Sequence, residues 1–180
     1  ATPGQARRGG HAMKVAAYVA LVLLVIPIQI VLLDRISIAG IRPDLALVTV
    51  CLIGLYRGEM ETVLAGLAMG FAQDLFSGGT LWGNLCLKPV LGLMAGLARR
   101  NLVNLTWAFV LTLMLGLSLL SGSVMYLLKS FAGSGSSFFL AARAIILPQA
   151  CYDAILGLAA FKLIRLWKPR RTPLTAFTYE

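Results

Sequence analysis

The sequence predicts an all-α protein, a polytopic six-helix membrane bundle with both termini on the cytoplasmic side. Of its 180 residues, 59% are hydrophobic and 13% are charged, and the mean hydropathy is +0.85. Soluble domains carry about 25% charged residues, which cover their apolar core with a polar surface. The apolar residues also fall into long runs separated by short polar segments, and positive charges collect on alternate segments. These observations exclude both a soluble globular enzyme and a disordered chain.

The first predicted span is Val15–Leu33, a run of 19 residues without charge. At 1.5 Å per residue it is long enough for a hydrocarbon core of about 30 Å. It exceeds the apolar region of a signal peptide, and we expect Pro27 to kink it. Residues 1–12 are interpreted as a cloning leader or a disordered tail, with translation starting at Met13. His11, the sole histidine, therefore takes no part in the predicted chemistry.

Two apolar runs, Leu45–Tyr56 and Thr62–Phe76, follow the Pro43–Asp44 pair, which is typical of a helix start. A single helix through both runs would be about 48 Å long. It would also place the charges of residues 57–61 near the middle of the bilayer, at several kcal/mol each. The sequence therefore predicts two helices joined by a tight polar turn at 57–61.

Three further spans complete the predicted bundle: Leu81–Ala98, Leu102–Leu128 and Phe138–Leu166. Turn-forming residues separate the third and fourth spans, and a Gly/Ser-rich stretch separates the fifth and sixth. The predicted organisation is one transmembrane domain over residues 13–167 and a basic cytoplasmic tail over residues 168–180.

The net charge of +9 is interpreted as a signal of orientation. With six spans and a cytoplasmic N-terminus, eleven of the sixteen Lys and Arg residues fall on inner segments and four on outer segments. Cytoplasmic segments of membrane proteins carry this excess, so the topology is N-in/C-in. The basic tail is also suited to contact with anionic lipid, and no nucleic acid is required as a partner.

Small residues and charges alternate with helical spacing on the third and fourth spans. The matched sets are Gly66, Gly70 and Asp74, and Lys88, Gly92 and Gly96. Each set shares one helix face, so we expect a close antiparallel hairpin with Gly70 opposite Lys88 and Gly66 near Gly92. A purely structural role and a partner-binding or ligand-lining role both remain open. We expect Gly70→Leu to disrupt this packing and Gly58→Ala, in the polar turn, to matter much less.

Ionisable residues inside predicted spans are functional candidates, because a charge in lipid needs a partner. Asp74 lies near the end of its helix and requires Lys88, water or a donor in the following turn. Asp153 lies about mid-depth in the sixth span, where Lys88 or Arg143 could pair with it. Asp44 is interpreted as a helix cap, and Arg143 as an anchor at the membrane interface.

No catalytic constellation stands out. The three cysteines, Cys51, Cys86 and Cys151, lie in apolar runs and are interpreted as small buried hydrophobic residues. The sequence contains no H-E-x-x-H, G-x-S-x-G or P-loop motif. We therefore expect no enzyme activity, no cofactor and no metal.

The order of several short motifs resembles the MreD family of rod shape-determining membrane proteins. The motifs are Arg42-Pro43-Asp44-Leu45, Arg57-Gly58, Gly66–Gly78, Leu81-Trp82-Gly83, Arg99-Arg100, Leu147-Pro148 and Phe161 with the basic end. The likeness covers about residues 13–170. Together, the spacing and the resemblance give these candidate packing or partner-binding residues: Asp44, Gly66, Gly70, Asp74, Gly83, Lys88, Gly92, Gly96 and Asp153.

The resemblance implies a non-catalytic scaffold of the cell-elongation complex in a bacterial inner membrane, helping control peptidoglycan synthesis and cell shape. It implies direct binding to MreC, links through the complex to RodA and a penicillin-binding transpeptidase, and a possible contact with MreB. The family fold is similar to the S-components of energy-coupling-factor transporters. An alternative is therefore a vitamin-binding subunit of that kind, which would need polar groups converging in the outer halves of the helices. Those halves look mostly apolar. A lipid-carrier enzyme is a third alternative and would need metal-dependent transferase activity.

Overall fold

The computed structural model describes residues 20–21, 24–29, 41–77, 82–100, 106–131 and 137–167. Within these ranges the chain is helical, which confirms the all-α class, and only Ile41 takes part in a β-bridge. The named helices are α1 (Leu45–Arg57), α2 (Glu59–Ser77), α3 (Gly83–Arg100), α4 (Trp107–Phe131) and α5 (Phe138–Trp167). Residues 20–21 and 24–29 of the predicted first span are also helical. The rest of that span, the leader 1–12 and the tail 168–180 lie outside the described residues.

The predicted break between the second and third spans is confirmed at Gly58. Helix α1 ends at Arg57 and α2 begins at Glu59, and Gly58 between them has φ +105° and ψ −176°. That backbone conformation is essentially restricted to glycine. Gly58→Ala, which was expected to matter much less than Gly70→Leu, is therefore strained even though a Cβ there would meet no atom within 4 Å. The cost arises from backbone strain.

Charged residues surround this turn. Glu59 and Glu61 lie in the first turn of α2, where the helix dipole favours negative charge. Arg57 lies 4.0 Å from Glu61, and Arg100, at the end of α3, lies 3.9 Å from Glu59. The polar ends of α1, α2 and α3 thus meet on one side of the protein.

Helices α2 and α3 form the close hairpin that the glycine spacing predicts, but in a different register. A Cβ at Gly66 would lie 2.8 Å from Pro89 Cα, and one at Gly70 would lie 2.9 Å from Leu85 Cα. A Cβ at Gly92 would likewise collide with the side chain of Thr62. The predicted pairing of Gly70 with Lys88 is therefore wrong by one helical turn. The reason is that α3 begins at Gly83, with Asn84 and Leu85 held beside Asp74 at the end of α2.

Helices α4 and α5 are both long and apolar enough to cross a membrane, with 25 and 30 residues, whereas α1 is apolar but shorter. They contact each other closely, since a Cβ at Gly157 would lie 3.0 Å from Met114 Cγ and one at Gly122 would lie 2.8 Å from Ile146 Cγ2. Residues Ala142–Ile146 of α5 are π-helical. Pro148 accounts for this wider turn, because its ring would clash with the carbonyl group four residues earlier in a regular α-helix.

Helix α1 lies at the centre of the core. Its buried Leu47, Cys51 and Leu55 belong to one apolar cluster with residues of three other helices, among them Met114 and Phe161. Outside this core, α4 and α5 carry exposed apolar side chains, among them Leu120, Leu127, Ile155 and Leu163. Such a surface is suited to lipid or to another apolar helix. The prediction of three buried cysteines is correct for Cys51 and wrong for Cys86 and Cys151, which are exposed.

Candidate functional site

Five polar side chains from all five named helices or their caps meet inside the protein, and we call them the buried polar cluster. They are Asp44 at the start of α1, Gln73 of α2, Lys88 of α3, Ser118 of α4 and Asp153 of α5. Lys88 is fully buried and Asp153 is 1% exposed. The cluster therefore joins helices that are far apart in the sequence.

Asp44 is the hub of the cluster. Its Oδ1 accepts hydrogen bonds from Leu47 N at 3.0 Å and from Gln73 Nε2 at 3.4 Å. Its Oδ2 pairs with Lys88 Nζ. The predicted role of Asp44 as a cap of α1 is present, and the same carboxylate also balances the buried ammonium group of Lys88. A single residue thus begins one helix and binds two others.

Asp153 is held by two hydrogen bonds. Its Oδ1 accepts from Asp44 N at 2.7 Å, and its Oδ2 accepts from Ser118 Oγ at 2.5 Å. Of the two partners predicted for it, Lys88 pairs with Asp44 instead, and Arg143 is exposed on the π-helical segment. Within the described ranges, no cationic side chain forms an ion pair with Asp153.

Asp74 serves a different purpose from the one that its spacing to Lys88 suggested. Its Oδ1 accepts from Asn84 N at 3.1 Å and from Asn84 Nδ2 at 2.8 Å, and its Oδ2 accepts from Leu85 N at 2.9 Å. The carboxylate caps the free amide groups at the start of α3. The donors that compensate the charge of Asp74 belong to Asn84 and Leu85, which lie just after the turn where a donor was expected.

A cavity of about 340 Å³ opens beside the cluster, between α2, α4 and α5. Its polar lining consists of Asp44, Gln73, Asn84, Ser118, Ser121, Tyr126, Lys129, Gln149 and Asp153. A second hollow of about 270 Å³ shares Asp44, Gln73 and Gln149 with it. We call the larger space the polar cavity. The cavity thus gathers polar side chains from helix segments that the sequence analysis expected to be mostly apolar.

Sequence reasoning missed four of these lining residues: Gln73, Asn84, Tyr126 and Gln149. Each is an uncharged polar residue and belongs to none of the sets of charges and glycines that supplied the candidates. The available signal was their common depth, since all four lie in the halves of their helices predicted to be outermost. Gln73 could have been found from the sequence, because it directly precedes the candidate residue Asp74.

Gln73 carries an unusual feature. Its Nε2 donates to Asp44, which fixes the orientation of the amide, and its Oε1 is buried. In the part of the chain that the structure describes, Oε1 has no hydrogen-bond partner. A buried acceptor without a donor carries a desolvation cost that no contact among the described residues offsets.

An apolar groove of about 400 Å³ runs between α3 and α4, and we call it the α3–α4 groove. It is lined by Trp82, Gly83, Cys86, Leu87, Val90, Val124 and Leu128. The candidate residue Gly83 lies at its edge, where a Cβ would be 3.2 Å from Met125 Sδ. The remaining candidate residue, Gly96, lies outside both spaces, and its Cβ would be 3.1 Å from Glu59 Cα.

The described residues contain no group of three His, Cys, Asp or Glu side chains that could hold a metal ion. The buried polar cluster holds helices together and borders a cavity, which suits packing or binding. With the long apolar helices α4 and α5, this arrangement fits the class of helical membrane proteins.

Comparison with protein families gives this class a more specific assignment. The model of the family of rod shape-determining protein MreD matches residues 11–167, so the chain belongs to the MreD family. The family has a role in determining rod shape, and its members are membrane proteins. A search of the curated proteins and a search of the solved structures gave no match.

Proposed function

We propose that this protein is a non-catalytic scaffold of the bacterial cell-elongation complex, in which it binds MreC and helps control peptidoglycan synthesis. The family match over residues 11–167 is the observation that carries the proposal. The exposed apolar surfaces of α4 and α5 agree with a protein that works by contacts inside the membrane. RodA and a penicillin-binding transpeptidase are reached through the complex, and MreB lies on the cytoplasmic side.

The proposed topology is six spans in the inner membrane with both ends in the cytoplasm. The charged turn of Arg57, Glu59 and Glu61 and the Arg99–Arg100 pair then lie on the cytoplasmic side. The polar cavity lies in the outer half of the membrane. Reporter fusions test this topology directly. A fluorescent protein fused after residue 180 should fluoresce, because that end lies in the cytoplasm. An alkaline phosphatase inserted at residues 132–136 should be active, because that segment lies on the outer side, and an inactive phosphatase would contradict the topology.

The α3–α4 groove is the surface we propose for the single transmembrane helix of MreC. Its lining is almost entirely apolar, and Trp82 and Val90 at its edge are more than half exposed. Gly83 and Cys86 are small residues three positions apart, so a helix can approach α3 closely there. In lipid, such close packing supplies the contact energy that the hydrophobic effect supplies in water.

The natural cysteines offer a test of this surface with a matched control. Cys86 lines the groove and is exposed, whereas Cys151 is exposed on α5, away from it. In membranes that also contain MreC with one cysteine in its helix, a short thiol cross-linker should join the two proteins. Cys86→Ser should abolish the product and Cys151→Ser should leave it. A product that depends on Cys151 instead would contradict the proposed groove.

The polar cavity favours one other candidate function, that of a vitamin-binding subunit similar to an S-component. Converging polar groups are what such a site requires. Family membership favours the scaffold. Mass spectrometry of the purified protein separates the two functions, because a tightly held vitamin would reverse this ranking.

A further inference from the structure

We propose that Trp82 is the anchor of the α3–α4 groove for the transmembrane helix of the partner, and that a strained backbone holds its indole ring in position for this contact. The inference rests on the proposed scaffold function and names the residue on which the contact with MreC depends. It is carried by the backbone conformation of Trp82, by the way α3 begins and by the two spaces that the ring borders.

Trp82 has an unfavourable backbone conformation. Among the residues that the structure describes, it is the one residue other than glycine with a positive φ, at +86°. Glycine adopts such angles freely, whereas the Cβ of a bulky residue makes them costly. A conformation of this kind persists only where the surrounding structure imposes it, and such residues cluster at functional sites.

The start of α3 does not require a tryptophan at this position. Trp82 O accepts a hydrogen bond from Cys86 N at 3.1 Å, so Trp82 occupies the N-cap position of the helix. Ser, Thr, Asp, Asn and Gly are favoured there, and a bulky apolar residue is not. Asp74 of α2 caps the helix instead, accepting from Asn84 N and Leu85 N. Glycine at position 82 would therefore begin α3 without strain, and the reason for a tryptophan must lie in its side chain.

The indole ring of Trp82 borders two apolar spaces. One is the α3–α4 groove, and the other is a hollow of about 60 Å³ on the side of α2, lined also by Phe71, Leu75 and Leu85. Trp82 is nevertheless 62% exposed, so most of its surface makes no contact within the described chain. Tryptophan is enriched among the few residues that dominate binding energy at interfaces. A large rigid ring at the edge of an apolar groove is suited to pack against a helix that lies in the groove.

A position at the membrane surface explains an exposed tryptophan but not a strained one. Tryptophan is common where a membrane meets water, whatever its backbone conformation. Trp107, at the start of α4, is 60% exposed, has no positive φ and lies outside the groove. It is a matched control, because both residues expose nearly the same fraction of the same side chain.

The test measures the affinity of purified full-length MreC for the full chain in mild detergent, together with the melting temperature of each variant. Trp82→Gly and Trp82→Ala both remove the ring, but only Trp82→Gly also relieves the strain, so it should melt at the higher temperature. Both variants should nevertheless raise the dissociation constant for MreC by about ten-fold or more, as at a dominant contact residue. Trp107→Ala should bind MreC like the unaltered chain.

The possible outcomes separate this inference from the scaffold function. If MreC bound the unaltered chain and both Trp82 variants equally well, the role of Trp82 would be overturned and the scaffold function would stand. If binding followed stability, surviving in Trp82→Gly and failing in Trp82→Ala, the role of Trp82 would be structural only, and the inference would again be overturned. An equal loss of affinity in Trp107→Ala would also overturn it, and no binding to the unaltered chain would overturn both proposals.

Discussion

Lys88 of α3 forms an ion pair with Asp44, the residue that caps α1, and the ammonium group of Lys88 is completely buried. A lysine at this depth is costly unless a carboxylate and a well-packed surrounding offset the loss of hydration. The pair therefore ties α3 to the start of α1. Through Asp44 N and Gln73 it also connects α5 and α2.

Breaking this pair should be strongly destabilising. Lys88→Met leaves the Asp44 carboxylate buried without its cation, at a cost of about 3–5 kcal/mol. The measurement is unfolding in detergent by denaturant or heat. Lys162→Met, which removes an exposed lysine, should have little effect. The double variant Lys88→Met/Asp44→Asn should lose less free energy of unfolding than the two single variants lose in sum. A loss equal to that sum would refute energetic coupling within the pair.

The close approach of α2 and α3 predicts a large effect at Gly70. A Cβ at this position would meet the backbone of Asn84 and Leu85, which cannot rotate away. Gly70→Ala should therefore separate the helices and lower stability by about 1–3 kcal/mol. Gly116 of α4 is a matched control, because a Cβ there meets nothing within 4 Å. Equal thermal melts for Gly70→Ala and Gly116→Ala would count against the close seam.

Backbone strain predicts a separate effect at Gly58. With φ at +105°, Gly58→Ala should cost about 1–3 kcal/mol although the added methyl group has free space. Thermal unfolding of this variant beside Gly116→Ala measures the strain. A melting temperature unchanged from that of the unaltered chain would show that the turn relaxes without cost.

The cap formed by Asp74 predicts a local effect. Asp74→Ala removes the acceptor of Asn84 N and Leu85 N, and should destabilise the start of α3 by about 1–2 kcal/mol. Hydrogen exchange of those two amides should accelerate, while that of amides near Leu91 changes less. Asn84→Ala is the milder comparison, because it removes the side-chain contact but keeps both backbone contacts. Equal protection in Asp74→Ala and the unaltered chain would exclude the cap.

The sequence was informative wherever a local rule applied. The break at 57–61 followed from the cost of charges in lipid, and the cap at Asp44 followed from Pro43 before an apolar run. The pairing of Lys88 with Asp44 did not follow from a local rule. Helical spacing shows which residues share a face, but the partner of Lys88 across the hairpin depends on the register of α2 and α3. That register depends on where α3 begins, and a shift of one turn moves Lys88 from Asp74 to Asp44. The polar cavity was equally hidden, since its lining comes from residues scattered over the whole chain.

Family membership and an apolar surface both support a scaffold function. A scaffold protein should co-purify with its partner. The most direct measurement is affinity purification of the tagged full chain from its own membranes in mild detergent, with mass spectrometry of what accompanies it. MreC should be present in an amount comparable to the chain itself, and this amount should be retained in Gly116→Ala and reduced in Gly70→Ala. MreC at the level found with an unrelated tagged membrane protein would contradict it.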